Sequence, residues 1–167
     1  MQESNLSGKF AVWLATGMGV GLVSPAPGTV GGLWGLPLAW AISPLPSPGG
    51  QAFAIGLIGL ASVLVCSAAA RELGGAKDPQ SIVLDEIAAL PIVYLGVTSH
   101  TPAVWLAGWL LFRLFDITKP PPTRQFERLP GGLGIMADDW VAAIGACAAL
   151  HMLVWLDGVA GWGMLTA

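Results

Sequence analysis

Residues 43–70 read SPLPSPGGQAFAIGLIGLASVLVCSAAA: a proline- and glycine-dense break, then a long run with no charge. The run 51–70 approaches the ~20 residues that cross ~30 Å of hydrocarbon. It lacks strict alternation and is rich in Ala, Leu and Gly, so it predicts a helix rather than a strand. Further apolar runs lie at about 10–23, 30–42, 87–98, 102–112 and 140–156, with a weaker tail beyond Asp157. Pro and Gly clusters at 24–29, 43–50 and 99–102, and longer polar stretches at 71–86 and 113–139, separate them, and such clusters end helices. All runs but 51–70 are short for a span. The expected fold is all-α, a compact bundle of about six apolar helices, several too short to span, with the intervening loops converging on one face.

Composition agrees. The 167 residues are 54% hydrophobic and 10% charged, with a mean hydropathy of +0.71, whereas soluble domains run near ~25% charged. A water-soluble monomer is not expected. The length suggests a single membrane-associated domain over 1–167. A net charge of −3 with seven scattered cations gives no basic patch, which argues against nucleic acid as a partner. Cys66 and Cys147 lie in apolar runs and read as buried thiols, not a disulfide framework. No cleavable leader is expected: Phe10–Val23 follows Lys9 like a signal core, but the Pro25-Ala26-Pro27-Gly28-Thr29 turn behind it is no small-residue cleavage site.

The cations orient the chain. Arg71, Lys77, Arg113, Lys119, Arg124 and Arg128 fall in the two long polar stretches, while 43–50, 99–102 and the C-terminal tail hold no Lys or Arg. If 30–42 with 51–70, and 87–98 with 102–112, form hairpins, the charged stretches and the 25–29 loop share one face. The positive-inside rule makes that face cytoplasmic. Most of the eight Trp lie near run ends, as interfacial anchors do, although core packing accounts equally well for several.

Six of the ten acids fall in three short stretches, 77–86 (KDPQSIVLDE), 112–120 (FRLFDITKP) and 130–140 (PGGLGIMADDW). Carboxylates beside cations and glycine turns suit a divalent metal and a phosphate ester. Asp78-Pro79 reads as a helix start, an Asp N-cap with Pro at N1. It stands ~10 Å along a helix from Asp85, too far to share one ion. Asp85 and Glu86 lie within an apolar run, where unpaired carboxylates are costly. Adjacent helical residues point ~100° apart, so one ion is hard for both to share, and pairing with Arg or Lys is the alternative reading. Asp116, three residues after Arg113, is equally an intrahelical partner or a site residue. Arg113 and Lys119, the latter just before three prolines that end its helix, suit phosphate oxygens. The turn Pro130-Gly131-Gly132-Leu133-Gly134 can aim N–H groups at an anion. Asp138 and Asp139 are expected to open the next helix, where the dipole favours acids in any case. Gly28-Thr29 opens run 30–42 with N–H groups and a hydroxyl for phosphate.

Absences narrow the chemistry. The sequence has no Cys-x5-Arg and no Asp-x-Asp-x-Thr/Val pattern, and its two histidines, His100 and His151, lie away from the acidic stretches. A metal-activated water with a carboxylate base remains. The rival reading is a small membrane ion transporter or channel using the carboxylates as an ion path, which needs acids near the bilayer midplane rather than in interfacial stretches.

Four segments, GVGLVSPAPGTVG at 19–31, DPQSIVLDE at 78–86, FRLFDITKP at 112–120 and PGGLGIMADD at 130–139, together resemble the phosphatidylglycerophosphatase A family. The departures are small: Ala88-Ala89 and Ala143 stand where a glycine is usual. The resemblance implies an all-helical, Mg²⁺-dependent enzyme of the bacterial cytoplasmic (inner) membrane, its active site facing the cytoplasm. Such an enzyme removes the terminal phosphate of phosphatidylglycerophosphate to leave phosphatidylglycerol. By motif, it places Asp85, Glu86, Asp116 and Asp139 in catalysis and Glu86, Asp138, Asp139 and Asp85 on the metal. Thr29, Arg113, Lys119, Gly131 and Gly132 are then expected on the substrate. The oligomeric state is not set by the sequence.

Overall fold

The computed structural model describes residues 6–75, 79–121, 123–126 and 129–166. Every regular element among them is helical: α1 (Leu6–Ala15), α2 (Val20–Val23), α3 (Pro27–Ile42), α4 (Pro48–Glu72), α5 (Leu84–Val93), α6 (Pro102–Thr118), α7 (Thr123–Phe126) and α8 (Gly131–Ala160). Six of these have ten residues or more, as the apolar runs predict, and two are single turns.

Proline starts helices here more than it ends them. Pro27, Pro48 and Pro102 stand at the first turns of α3, α4 and α6, where the missing N–H loses nothing. Ser47 and Thr101 cap α4 and α6 through Gly50 N–H at 3.1 Å and Val104 N–H at 3.3 Å. The predicted run 10–23 is broken in two: Gly17, Met18 and Gly19 take φ of 59°, 60° and 92°, and this left-handed stretch cannot continue a right-handed helix. Pro79 lies outside any helix and α5 begins only at Leu84. The helix start read at Asp78-Pro79 is therefore corrected, and Asp78, Lys77 and Arg128 lie outside the described residues.

The largest departure is α8, which starts at Gly131 rather than near residue 140 and runs for 30 residues. The expectation that 51–70 alone is long enough to span is corrected accordingly. Both α4 and α8 are long and apolar enough to cross a membrane, and only 28% of each apolar window is buried in the bundle. Phe53, Leu57, Leu60 and Leu64 on α4, and Ile144, Met152, Trp155 and Val159 on α8, face outward. Helices so apolar yet so exposed belong to a lipid environment, not to a soluble core.

Short α5 stands at the centre, against α3, α4 and α8. Two core clusters meet on it, one of Leu90, Val93, Phe112 and Leu150 and the other of Ala15, Cys66, Ala88 and Met136. Glycines on one face of α3 let α5 lie close. A Cβ at Gly31 would stand 2.5 Å from Val83 Cβ, and one at Gly35 2.8 Å from Leu90 Cβ. Far from the charged stretches, Gln51 donates to Ser43 O at 3.1 Å and accepts from Gly96 N–H at 2.9 Å, joining the α3–α4 turn to the end of α5. The chain turns back at 43–47 and 94–101 as expected, but α3 packs chiefly on α5 and α6 on α8 rather than on their hairpin partners, and the polar stretches meet at the other end.

Candidate active site

At that end lies a cavity of about 370 Å³, lined by Ala26–Thr29, Gln80, Ile82, Asp85, Glu86, Arg113, Asp116, Lys119, Ile135, Asp138 and Asp139. Four separate segments supply it: the start of α3, the lead-in and first turn of α5, the last turns of α6 and the early part of α8.

Asp85 and Glu86 occupy the first turn of α5, where unpaired N–H groups and the helix dipole favour negative charge. The lead-in is pinned from outside, since Val83 N–H donates to Ala15 O at 2.8 Å. Asp85 Oδ1 accepts from the Glu86 N–H at 2.9 Å. Both side chains line the same cavity despite their adjacency. A Cβ at Gly28 would collide with Glu86 Oε1, so the bare first turn of α3 makes room for that carboxylate.

On α6, Arg113 and Asp116 share a face and Lys119 caps the helix. Arg113 Nη1 stands 2.9 Å from Glu86 Oε1 and 2.8 Å from Asp116 Oδ2. These are ion pairs whose angles do not make aligned N–H···O bonds. The intrahelical pair expected of Asp116 and its membership of the site both hold. Lys119 takes φ of 43°, a left-handed conformation that a non-glycine residue keeps only when its surroundings fix it. Its Nζ bonds Asp138 Oδ2 at 2.8 Å.

Asp138 and Asp139 do not open α8; they lie two turns inside it and are 5% and 4% exposed. The dipole reading of this pair is therefore corrected. Asp85, Glu86, Asp116 and Asp138 crowd Asp139 with like charge. Among the described residues it has neither a cation nor a hydrogen-bond donor. The cavity holds five carboxylates against two cations, an excess of three negative charges if all ionise. Such an excess in a shielded site calls for a further cation.

The donor set, all carboxylate oxygen, is that of a hard divalent ion. Among the described residues no three acidic, His or Cys groups close to a ready-made metal site; three of the five carboxylates, Glu86, Asp116 and Asp138, pair with Arg113 or Lys119. Phosphate has a second attraction here. No side chain caps the N-terminus of α3, so the first-turn amides of Gly28 and Thr29, with the Thr29 hydroxyl, border the cavity.

Gly131 and Gly132, expected on the substrate, are not among the residues that line the cavity. Gly132 N–H donates to Ser67 Oγ at 2.9 Å, and a Cβ there would strike Val63 O. These glycines pack α8 against α4. Reading the sequence for charges also passed over Gln80, Ile82 and Ile135. The glycines at 28, 31, 32 and 35, spaced to line one helical face, were the available sign that α3 closes on the α5 acids.

An all-helical, lipid-exposed bundle with acids, cations and a bare helix N-terminus around one cavity is the form of a membrane enzyme acting on phosphate esters. The chain matches the model of the family Phosphatidylglycerophosphatase A over residues 13–154 and belongs to that family. It is 42% identical over 134 residues to Phosphatidylglycerophosphatase A of Haemophilus influenzae, covering 78% of this chain and 80% of that one. To the protein of the same name in Escherichia coli K12 it is 34% identical over 143 residues, covering 84% and 81%. No solved structure matches the chain.

Proposed function

We propose that this protein hydrolyses the terminal phosphate monoester of phosphatidylglycerophosphate, giving phosphatidylglycerol and inorganic phosphate, with Mg²⁺ as cofactor. The relatives' names support the substrate. The observation that carries the chemistry is buried Asp139 amid four other carboxylates, opposite two cations and a bare helix N-terminus.

Glu86 and Asp139, with Asp85, Asp116 and Asp138, would hold the ion. Mg²⁺, when bound, supplies Lewis-acid charge stabilisation and makes a water more acidic. Arg113 and Lys119 each exchange a carboxylate oxygen for a phosphate oxygen, Arg113 through its fork and Lys119 as a point charge. The α3 amides and the Thr29 hydroxyl hold a further phosphate oxygen. One of the carboxylates takes a proton from the attacking water, whose oxygen bonds to phosphorus as the phosphorus–glycerol oxygen bond breaks. The leaving oxygen takes up a proton and remains on the lipid as an alcohol.

The cavity end carries Arg71, Arg113, Lys119 and Arg124, while the turns at 43–47 and 94–101 and the tail at 161–166 hold no Lys or Arg. That asymmetry supports a bacterial inner-membrane protein with the cavity facing the cytoplasm. The ion-path reading finds no support: Asp157, the buried acid at the far end, is taken up by the C-terminal tail. The test is phosphate release from phosphatidylglycerophosphate in detergent micelles. Release should require Mg²⁺ and stop with chelator; release that chelator leaves intact, or none with Mg²⁺, overturns the reading.

A further inference from the structure

The helices that wall the cavity are charged on the inside and apolar on the outside. Beside it α3 and α6 touch through a glycine: a Cβ at Gly32 would stand 3.5 Å from Trp109 Nε1 and 3.9 Å from Arg113 Cδ. Next to that contact, Leu33, Pro37 and Trp40 share one side of α3, and Leu106, Leu110 and Ile117 share one side of α6. All six are exposed, Trp40 and Ile117 by 67% and 70%. Helix α3 begins at the cavity and α6 ends there, so the two run in opposite directions and these flanks open on the same side of the bundle. Together they form a shallow apolar trough over the Gly32 contact. Its upper end is the cavity, since Thr29 lies towards the Leu33 side of α3, Asp116 precedes Ile117 on α6, and both line the cavity.

The depth of the cavity is set by the first hairpin. Helix α1 packs on the cavity end of α4, where a Cβ at Gly8 would strike the Glu72 carboxylate, and the chain turns back at Gly17–Gly19. A Cβ at Gly17 would lie 2.9 Å from Val83 Cγ2, and one at Gly21 would strike Ser81 O. The hairpin therefore reaches only the level of the α5 lead-in, whose Gln80 and Ile82 line the cavity. Its outward residues Trp13, Met18, Leu22 and Val23 are apolar and at least 47% exposed. Such side chains at the level of the acids belong in a leaflet, not in water. A lipid with its phosphate in the cavity then has to send its chains out sideways, and the trough is an apolar path that starts at the cavity. The recess between α4, α5 and α8, about 300 Å³ around Ile55, Gly59, Trp140 and Ile144, shares no lining residue with the cavity among the described residues.

We propose that the α3–α6 trough binds an acyl chain of the lipid whose phosphate occupies the cavity, so that the substrate arrives laterally from the leaflet on that side. The headgroup's identity in this inference rests on the phosphatase reading. A chain moving from bilayer to trough exchanges one apolar environment for another and gains little affinity. What the trough supplies is registration, holding the phosphate ester in line with the cavity.

The test uses the full chain in mixed micelles and phosphatidylglycerophosphate bearing a diazirine midway along one acyl chain, flash-irradiated on mixing. Adducts should concentrate at residues 33–40 and 106–117. Excess unlabelled phosphatidylglycerophosphate should remove them, and phosphatidylcholine with the same chains should not. Adducts spread around the bundle, adducts in the α4–α8 recess, or trough adducts that phosphatidylcholine displaces equally well overturn the proposal. In a second measurement, Leu33→Trp combined with Leu110→Trp fills the trough while keeping it apolar. It should lower kcat/KM on the dioleoyl lipid roughly tenfold and leave a dibutanoyl form, whose chains reach little of the trough, nearly unchanged. Leu57→Trp, exposed on α4, should alter neither. Equal losses on both lipids, or no loss on either, also overturn it. If the parent hydrolyses neither lipid while displaceable adducts still map to the trough, the phosphatase reading fails and the lipid surface stands. Normal hydrolysis with adducts elsewhere sinks the surface alone.

Discussion

Helix α8 carries two almost fully buried acids, Asp139 and Asp157, with opposite surroundings. Asp157, 2% exposed, accepts from the backbone N–H groups of Met164, Leu165 and Thr166 at 3.0 Å and from Thr166 Oγ1 at 2.8 Å. The tail it gathers is held in turn by Ser99 Oγ, which donates to Leu165 O at 2.6 Å. Asp139, 4% exposed, faces four carboxylates and finds no donor among the described residues. Both burials cost solvation, but only at Asp157 does the chain itself return hydrogen bonds for it. A satisfied acid closes a structure, whereas an unsatisfied one is held ready for something the chain lacks. This contrast, more than the number of acids, separates the active end of the bundle from its structural end.

Neutralising each acid breaks the comparison most sharply. Asp139→Asn should abolish turnover, a loss of ~10²-fold or more, and Glu86→Gln should do the same. Because Asp139→Asn removes repulsion, its melting temperature in detergent should equal or exceed the parent's. A variant with parental rates and Mg²⁺ dependence would falsify the site assignment. Arg113→Ala comes next. It should lower kcat/KM by about 10²-fold and raise KM, while Mg²⁺ binding by calorimetry persists. Unchanged KM would show that Arg113 serves the acids alone.

Much of this site is legible in the sequence, because charge in a greasy chain is conspicuous. Asp85, Glu86, Arg113, Asp116, Lys119, Asp138 and Asp139 all reach one cavity. The all-helical bundle is legible for the same reason, as the apolar runs have no strand period. Helix ends are harder to read. Gly131, Gly132 and Gly134 look like a turn, yet only Gly131 of the three has a positive φ, 62°, and α8 begins there. The role of Gly131 and Gly132 is close approach to α4, which depends on a partner helix that hydropathy does not see. The break at Gly17–Gly19 is the reverse case, a backbone reversal hidden inside an apolar run.

Asp157→Asn tests the structural end. It keeps the shape but gives up charge-assisted acceptance from the tail. The expected result is a melting temperature lower by several degrees, with kcat and KM for the lipid unchanged. Loss of turnover at parental stability would mean that the tail communicates with the cavity, and that the two ends are not separable.

The smallest effect is expected at Ser67, between those ends in function. Its Oγ accepts the Gly132 N–H at 2.9 Å, which ties the first turn of α8 to α4 beside the cavity without lining it. If Gly132 is a packing residue, Ser67→Ala removes one neutral hydrogen bond and costs about 1 kcal/mol of stability, with KM unchanged. If the Gly132 amide instead serves the phosphate, freeing it from Ser67 should lower KM for the lipid. Melting and KM measured on the same preparation distinguish the two. A fall in KM would return the glycine turn to the substrate, where its sequence alone had placed it.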